Sequence, residues 1–113
     1  MKYLFLLYAD ESGMPAPGSP EAEAAGAAYG AFYERVAGRF QAGDPVHASS
    51  SAKTVSVRGG AATTTSGPAR PDGEQIIGFY VLEVADEAEA VELAGAIPAA
   101  AHGRVEARPI LVF

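Results

Sequence analysis

The 113-residue chain contains no cysteine, and this absence removes disulfides, thiolate nucleophiles and sulfur-ligated metal sites. Basic residues are scarce as well: 8 Lys and Arg stand against 14 Asp and Glu, for a net charge of −6. They are scattered singly along the sequence, so no basic patch exists to neutralise phosphates. Nucleic acid and anionic membrane surfaces therefore have no electrostatic support as partners. No apolar run approaches the length of a bilayer-spanning helix. Lys2 followed by the apolar Tyr3 to Ala9 has the outline of a short signal peptide. Its apolar core is minimal, however, and Asp10 and Glu11 stand where small residues should mark a cleavage site. A cytoplasmic location is the expectation. Two histidines without HExxH spacing make no metal motif, and no glycine-rich loop follows a strand and opens a helix. The expectation is a protein with neither metal nor cofactor.

Hydrophobic residues make up 49% of the chain, too many for a disordered segment and enough for one modest core. A single domain over 1–113 follows, with no linker or repeat. Tyr3, Phe5 and Leu7 alternate with Leu4, Leu6 and Tyr8, a strand apolar on both sides; Ile77, Phe79 and Val81 against Ile76, Tyr80 and Leu82 form a second. Such strands are covered on both faces. In so short a chain one cover is its own helices, and the other is expected to be a second copy of the protein, making a homodimer.

Ser19, Pro20, Glu21 and Glu23 read as an N-cap, a first-turn proline and two acids at the positive end of a helix dipole. The helix is predicted to run to about Gln41, with Gly43 as its stop and Ala25, Tyr29, Phe32, Val36 and Phe40 as its core stripe. Gly26, Gly30 and Gly38 weaken it by roughly 1 kcal/mol each relative to alanine. Pro45 to Ala48 then reads as a short strand carrying His47. Thr54 to Arg58, the Gly59-Gly60 turn and Thr63 to Thr65 read as a hairpin. Ser66 to Gly73 reads as a mobile loop and Ile76 to Val84 as a strand. Asp86 and Glu89 form a capping box for a second helix with stripe Ala90, Val91, Ala94 and Ile97, ended by Pro98. Arg104 to Arg108 and Ile110 to Phe113 form the last strand, with Pro109 at an edge or bulge. The order β-α-β-β-(β)-α-β is an α+β, ferredoxin-like sandwich.

Several stretches resemble the YCII-related (DGPF) proteins, in the same order and over nearly the whole chain. These are Met1 to Leu4 and Tyr8 to Glu11, Ala28 to Phe32, Ala52 to Arg58, Gly78-Phe79-Tyr80, Ile97 to Ala100 and Val105 to Ile110. Where that family carries Asp-Gly-Pro-Phe, this chain has Ser66-Gly67-Pro68-Ala69: the turn-forming Gly67 and Pro68 survive, while the acid and the aromatic are lost. Of the Glu-Thr-Lys stretch that follows in the family, only Glu74 is retained. The resemblance implies a dimeric α+β barrel.

Asp10 and Glu11 follow the first strand, where an acid can act as a base or orient a histidine; the competing reading is a solvated loop start. The resemblance also implies a His–Asp pair in a cleft, which singles out Asp10. His47 is the candidate base, able to shuttle protons near neutral pH, against the alternative of an exposed or core-satisfied histidine. His102 reads as an inert turn residue, and Ser66 as a turn residue rather than a nucleophile. Tyr8, Tyr29, Phe32 and Tyr80 are candidates to line an apolar pocket, although aromatics at such spacing are most often core. Arg58 and Arg108 are candidates to clamp a carboxylate or phenolate, or else edge charges. The expected function is a small cofactor-independent enzyme of lyase, dehydratase, cyclase or isomerase type. It would transfer protons on an apolar, oxygenated small molecule, with His47 and Asp10 as base and orienting acid. The alternative is a non-catalytic small-molecule-binding, accessory or regulatory dimer.

Overall fold

The period of two at the start of the chain becomes strand β1, Lys2–Ala9, in the computed structural model, which describes residues 1–113. Helix α1 (Pro20–Val36) follows, then β2 (Phe40–Pro45), the hairpin strands β3 (Lys53–Arg58) and β4 (Ala61–Ser66), β5 (Gln75–Glu83), α2 (Glu87–Ala96) and β6 (Arg104–Pro109). Strands β2, β5, β1 and β6 lie side by side in that order, antiparallel throughout. β3 and β4 form a separate two-stranded sheet. The connections β1-α1-β2 and β5-α2-β6 around this order are the ferredoxin-like layout, with the hairpin inserted between the two halves.

Register fixes the two faces of the four-stranded sheet. Tyr3, Phe5 and Leu7 of β1 lie beside Leu82, Tyr80 and Gly78 of β5 and beside Pro109, Ala107 and Val105 of β6. This face meets the helices: Tyr3, Phe5, Leu7 and Leu82 share one core cluster with Phe32 and Val36 of α1 and Ala90 and Leu93 of α2. The fully buried Phe5, Leu82, Ile97 and Val36 each contribute roughly 1.5–3 kcal/mol through removal from water. The opposite face carries Leu4, Leu6 and Tyr8 beside Val81, Phe79 and Ile76, with Arg104, Glu106 and Arg108 along β6. No helix of the chain covers it.

The helix signals act as read. The Ser19 hydroxyl accepts from the Ala22 amide at 3.1 Å, with Pro20 in the first turn. Asp86 accepts from the Glu89 amide, and the Glu89 carboxylate reaches back to the Ala85 amide, both at 2.9 Å. Gly59 and Gly60 turn the hairpin with φ of 56° and 81°, the pair of positive values a two-residue type I′ connection requires. No helix is long and apolar enough to cross a membrane.

Five expectations are corrected. α1 ends at Val36, not near Gln41, and Phe40 opens β2. The four-residue step from Val36 to Phe40 looks helical in one dimension, but Phe40 instead packs edge-on against Tyr33 and Tyr80, with centroids 5.1 and 6.4 Å away. Gln41 is the extra residue of a bulge between Phe40 and Ala42. Gly43 is therefore not a helix stop but a strand glycine: a β-carbon there would lie 2.8 Å from Cδ1 of Tyr80 and 2.9 Å from the Phe79 carbonyl oxygen. The strand expected over Pro45 to Ala48 ends at Pro45, so His47 lies beyond the strand. On the second-helix stripe Ala90 and Ile97 are buried as expected, but Leu93 takes the place given to Val91, which is exposed. Finally, the last strand stops at Pro109, and Leu111, Val112 and Phe113 are exposed.

Candidate functional site

Two hollows meet at the segment that follows β2. The smaller, about 620 Å³, lies between α1 and the β2–β5 edge, and 11 of its 17 lining residues are hydrophobic. Tyr29 and Tyr33, four apart on one face of α1, form its helical wall, and Phe40, Ile77 and Tyr80 its sheet wall. Tyr80 stacks obliquely on Phe32, centroids 5.3 Å apart, so a core residue holds a wall residue in place. Burial pushes the phenols of Tyr29 and Tyr80 above their ordinary range, and the proximity of Tyr29 raises Tyr80 further. Both are neutral hydrogen-bond donors at physiological pH. The volume lies within the roughly 300–1,000 Å³ range of small-molecule sites.

The larger hollow, about 1280 Å³, is more polar, with 8 hydrophobic residues among 21. It lies on the open side of the sheet, where Tyr8, Ile76 and Arg104 face the root of the hairpin at Lys53 to Val55 and the turn at Pro68 to Glu74. That turn is tied down. Gln75 is buried and donates to the Arg70 carbonyl at 2.8 Å, Thr54 Oγ1 donates to the Gly67 carbonyl at 2.9 Å, and Gly67 itself has φ of 109°. Arg104 Nε donates to Glu74 at 2.7 Å and closes its far side.

His47 lines both hollows; it is exposed, and its imidazole makes no hydrogen bond. Two carboxylates share the apolar cleft with it, Glu11 and Asp44. Glu11 accepts from the Ser49 amide at 2.7 Å and from the Ser49 hydroxyl, and these donors hold its carboxyl below the usual carboxylate range. The contact straps the start of the β1–α1 loop to the segment after His47. Asp10 lines neither hollow. Its Oδ1 accepts from both the hydroxyl and the amide of Ser12, which lower its pKa, and it caps a single 3₁₀ turn over Glu11–Gly13. No hydrogen bond joins it to His47.

The remaining candidates separate. Tyr29 and Tyr80 join His47 at the apolar cleft, while Tyr8 lies on the open face at the larger hollow. Phe32 is core. Arg58 is exposed at the far end of the hairpin, donating only to the carbonyl of its neighbour Val57. Arg108 lies on β6 with its guanidinium against Glu106, 2.5 Å away. Tyr33, Phe40 and Ser49 enter the site unannounced. Tyr33 was visible four residues after Tyr29, whereas the Ser49–Glu11 contact spans 38 positions and has no local signal.

The sequence profile of the YCII-related domain matches residues 1–113, the whole chain. The chain belongs to the YCII-related domain family. No curated protein shows significant similarity to it. Within this YCII-related domain the turn at Ser66-Gly67-Pro68-Ala69 is the rim of the larger hollow: Pro68 and Ala69 line it, and Ser66 Oγ accepts from Lys53 Nζ at 2.8 Å. Gly67 and Pro68 supply the bend there, and no acidic or aromatic side chain is presented.

Proposed function

We propose that this YCII-related domain binds an apolar, oxygenated small molecule in the cleft between α1 and the β2–β5 edge, and that His47 transfers a proton to or from it. A lyase, dehydratase, cyclase or isomerase reaction needing no cofactor fits this arrangement. The observation that carries the reading is the position of His47 at an apolar cleft, the one imidazole among its lining residues and a side chain able both to take and to give a proton. Neutral Tyr29 and Tyr80 suit a carbonyl or enolate oxygen, because a phenol donates a hydrogen bond that strengthens as negative charge develops. Of the two acids that follow β1, Glu11 rather than Asp10 lines the cleft; with its oxygens already engaged by Ser49, it would hold the 47–49 segment rather than accept the proton itself.

Proton exchange tests this directly. A panel of small aromatic and aliphatic ketones in D2O, followed by NMR, should contain members whose acidic C–H exchanges faster with the protein present. His47→Ala should reduce that acceleration by about 100-fold or more, and Tyr80→Phe should weaken binding. Exchange unaffected by His47→Ala would remove the assignment. Asp10→Asn and Glu11→Gln, run beside it, separate the two acids.

A second reading, a binding or accessory protein without turnover, is favoured by one observation: the His47 imidazole has no partner to fix its tautomer. Under it, the same panel contains ligands that bind and shift the aromatic resonances of Tyr29 and Tyr80 while no proton exchange is accelerated.

A further inference from the structure

The walls of the two hollows differ in charge. The apolar cleft has no lysine or arginine in its wall, and its carboxylates are Glu11 and Asp44. The larger hollow is lined by Lys53, Arg70 and Arg104 against Asp72, Glu74 and Glu106. Of the 8 lysines and arginines in the chain, Arg35, Arg39, Arg104 and Arg108 are each paired with a carboxylate. Glu74 and Glu106 are the partners of Arg104 and Arg108, so both acids are already neutralised. Lys53 Nζ donates to the uncharged Ser66 hydroxyl at 2.8 Å. Arg70 is held only through its carbonyl, which accepts from the buried Gln75 side chain at 2.8 Å. Its backbone is anchored while its guanidinium is free. What remains in this wall is Lys53 and Arg70 against Asp72, two positive charges against one negative, in a chain whose net charge is −6.

The hollows join at His47. The β2–β5 ladder ends where the Val46 amide donates to the Ile77 carbonyl at 3.0 Å. Beyond that bond β5 has no neighbour on this side, so the sheet edge is open at Ile76 and is reached from both faces. Val46, His47, Ala48 and Ile76 accordingly line both hollows. A molecule lying in the apolar cleft with one end at His47 extends from there into the space walled by Arg70 and Lys53.

We infer that the ligand of this domain is an amphipathic monocarboxylic acid, its apolar body in the cleft between α1 and the β2–β5 edge and its carboxylate in the larger hollow, held by Arg70 and Lys53. The inference rests on the cleft being the binding site, as proposed above, and adds the charge and orientation of the substrate. Orientation follows from the two walls. Glu11 and Asp44 repel an anion from the cleft, while the surplus positive charge beyond His47 attracts it. The planar guanidinium fork matches a carboxylate with two parallel, charge-assisted hydrogen bonds. One negative charge balances the surplus. A second, as on a phosphate monoester, would face Asp72 with no cation left to offset it. Both cations are exposed, so salt screens the contact and it contributes about 10-fold in affinity rather than several thousand-fold.

Benzoylpropionate, an aromatic ketone bearing one carboxylate, and its uncharged methyl ester test this when titrated into the full chain while the Tyr29 and Tyr80 resonances are followed by NMR. In about 20 mM salt the acid should bind about 10-fold more tightly than the ester, and in about 500 mM salt the gap should close to about 2-fold. Arg70→Gln should abolish the preference by weakening the acid alone, with the fold intact because only the Arg70 carbonyl is used in it. Arg58→Gln removes the arginine at the far end of the hairpin and should keep the preference. His47→Ala should keep it as well, since the preference concerns binding and not proton transfer. Phenacyl phosphate, the doubly charged counterpart, should bind no better than the ester. Equal binding of acid and ester by the wild type would overturn the inference and leave the cleft reading standing. So would an equal loss in Arg58→Gln, which would trace the preference to net charge, or a phosphate that binds more tightly than the acid. If neither acid nor ester moved Tyr29 or Tyr80, the cleft reading would fall and this inference with it.

Discussion

The four-stranded unit and the hairpin are built from the same polypeptide by opposite rules. In the sheet, every strand is held by neighbours and a helical layer, and alternation sorts Phe5 and Leu82 into the core. In the hairpin, turn chemistry and backbone pairing alone set the shape, and none of the twelve strand residues is buried. The lesson concerns where stability resides. Burial against two helices makes the first region intolerant of change, while the second has almost no buried contact to lose. Its residues are free to serve an external purpose.

Substitutions can break or sharpen that contrast. The largest effect is expected at Phe5→Ala, which empties a fully buried site and should lower unfolding free energy by about 3–5 kcal/mol in denaturant titration. Gly103→Ala should come next, at about 3 kcal/mol. Its β-carbon would fall within 2 Å of the Tyr8 carbonyl oxygen, forcing apart the end of β1 and the start of β6. Glycine removal has the opposite sign on the exposed face of α1. Gly30→Ala meets nothing within 4 Å and should stabilise by up to about 1 kcal/mol. Val57→Ala in the hairpin should change monomer stability by less than about 0.5 kcal/mol, and a larger value would mean the hairpin is coupled to the core.

Acidity probes the strap between loop and site. The Glu11 carboxyl is held below its ordinary value of 4.5 in the folded state. Above 4.5 both folded and unfolded chains carry the charge, and the Ser49 contact contributes fully. As the pH falls from there through the lowered folded value, the unfolded chain takes up its proton first and the contribution is lost. Asp10 and Glu89 are shifted in the same direction and add to the same slope. Denaturation midpoints should therefore fall as the pH drops below 4.5, and less steeply in Ser49→Ala. A midpoint in that variant tracking the wild type would show the strap to be energetically silent.

Much of the architecture was legible because its signals are local. Ser19-Pro20, Asp86-Glu89 and Gly59-Gly60 each act within a few residues, and the double-sided alternation of β1 and β5 needs no knowledge of partners. The errors lie where distant packing overrides local spacing. The step from Val36 to Phe40 imitated a helical stripe until Tyr80 claimed Phe40, and Gly43 imitated a helix stop when its role was to admit the Tyr80 ring. Mistaking β2 by a few residues moved His47 from a strand to the segment beyond it. That slip mattered more for the site than for the fold. Tyr29, Tyr80 and His47 still came together, because sheet order brings them together whatever the boundaries. Glu11 and Asp10 are neighbours in sequence, and only the three-dimensional path of the loop decides which one faces the cleft.

The hairpin interrupts the chain between two strands that are already partners: Pro45 at the end of β2 lies opposite Gly78 near the start of β5. Its points of departure and return are thus fixed by the sheet itself, and the hairpin from Lys53 to Ser66 can lengthen, shorten or change chemistry without touching a residue of the core cluster. A domain wired this way can vary the insert as one cassette while keeping the same scaffold.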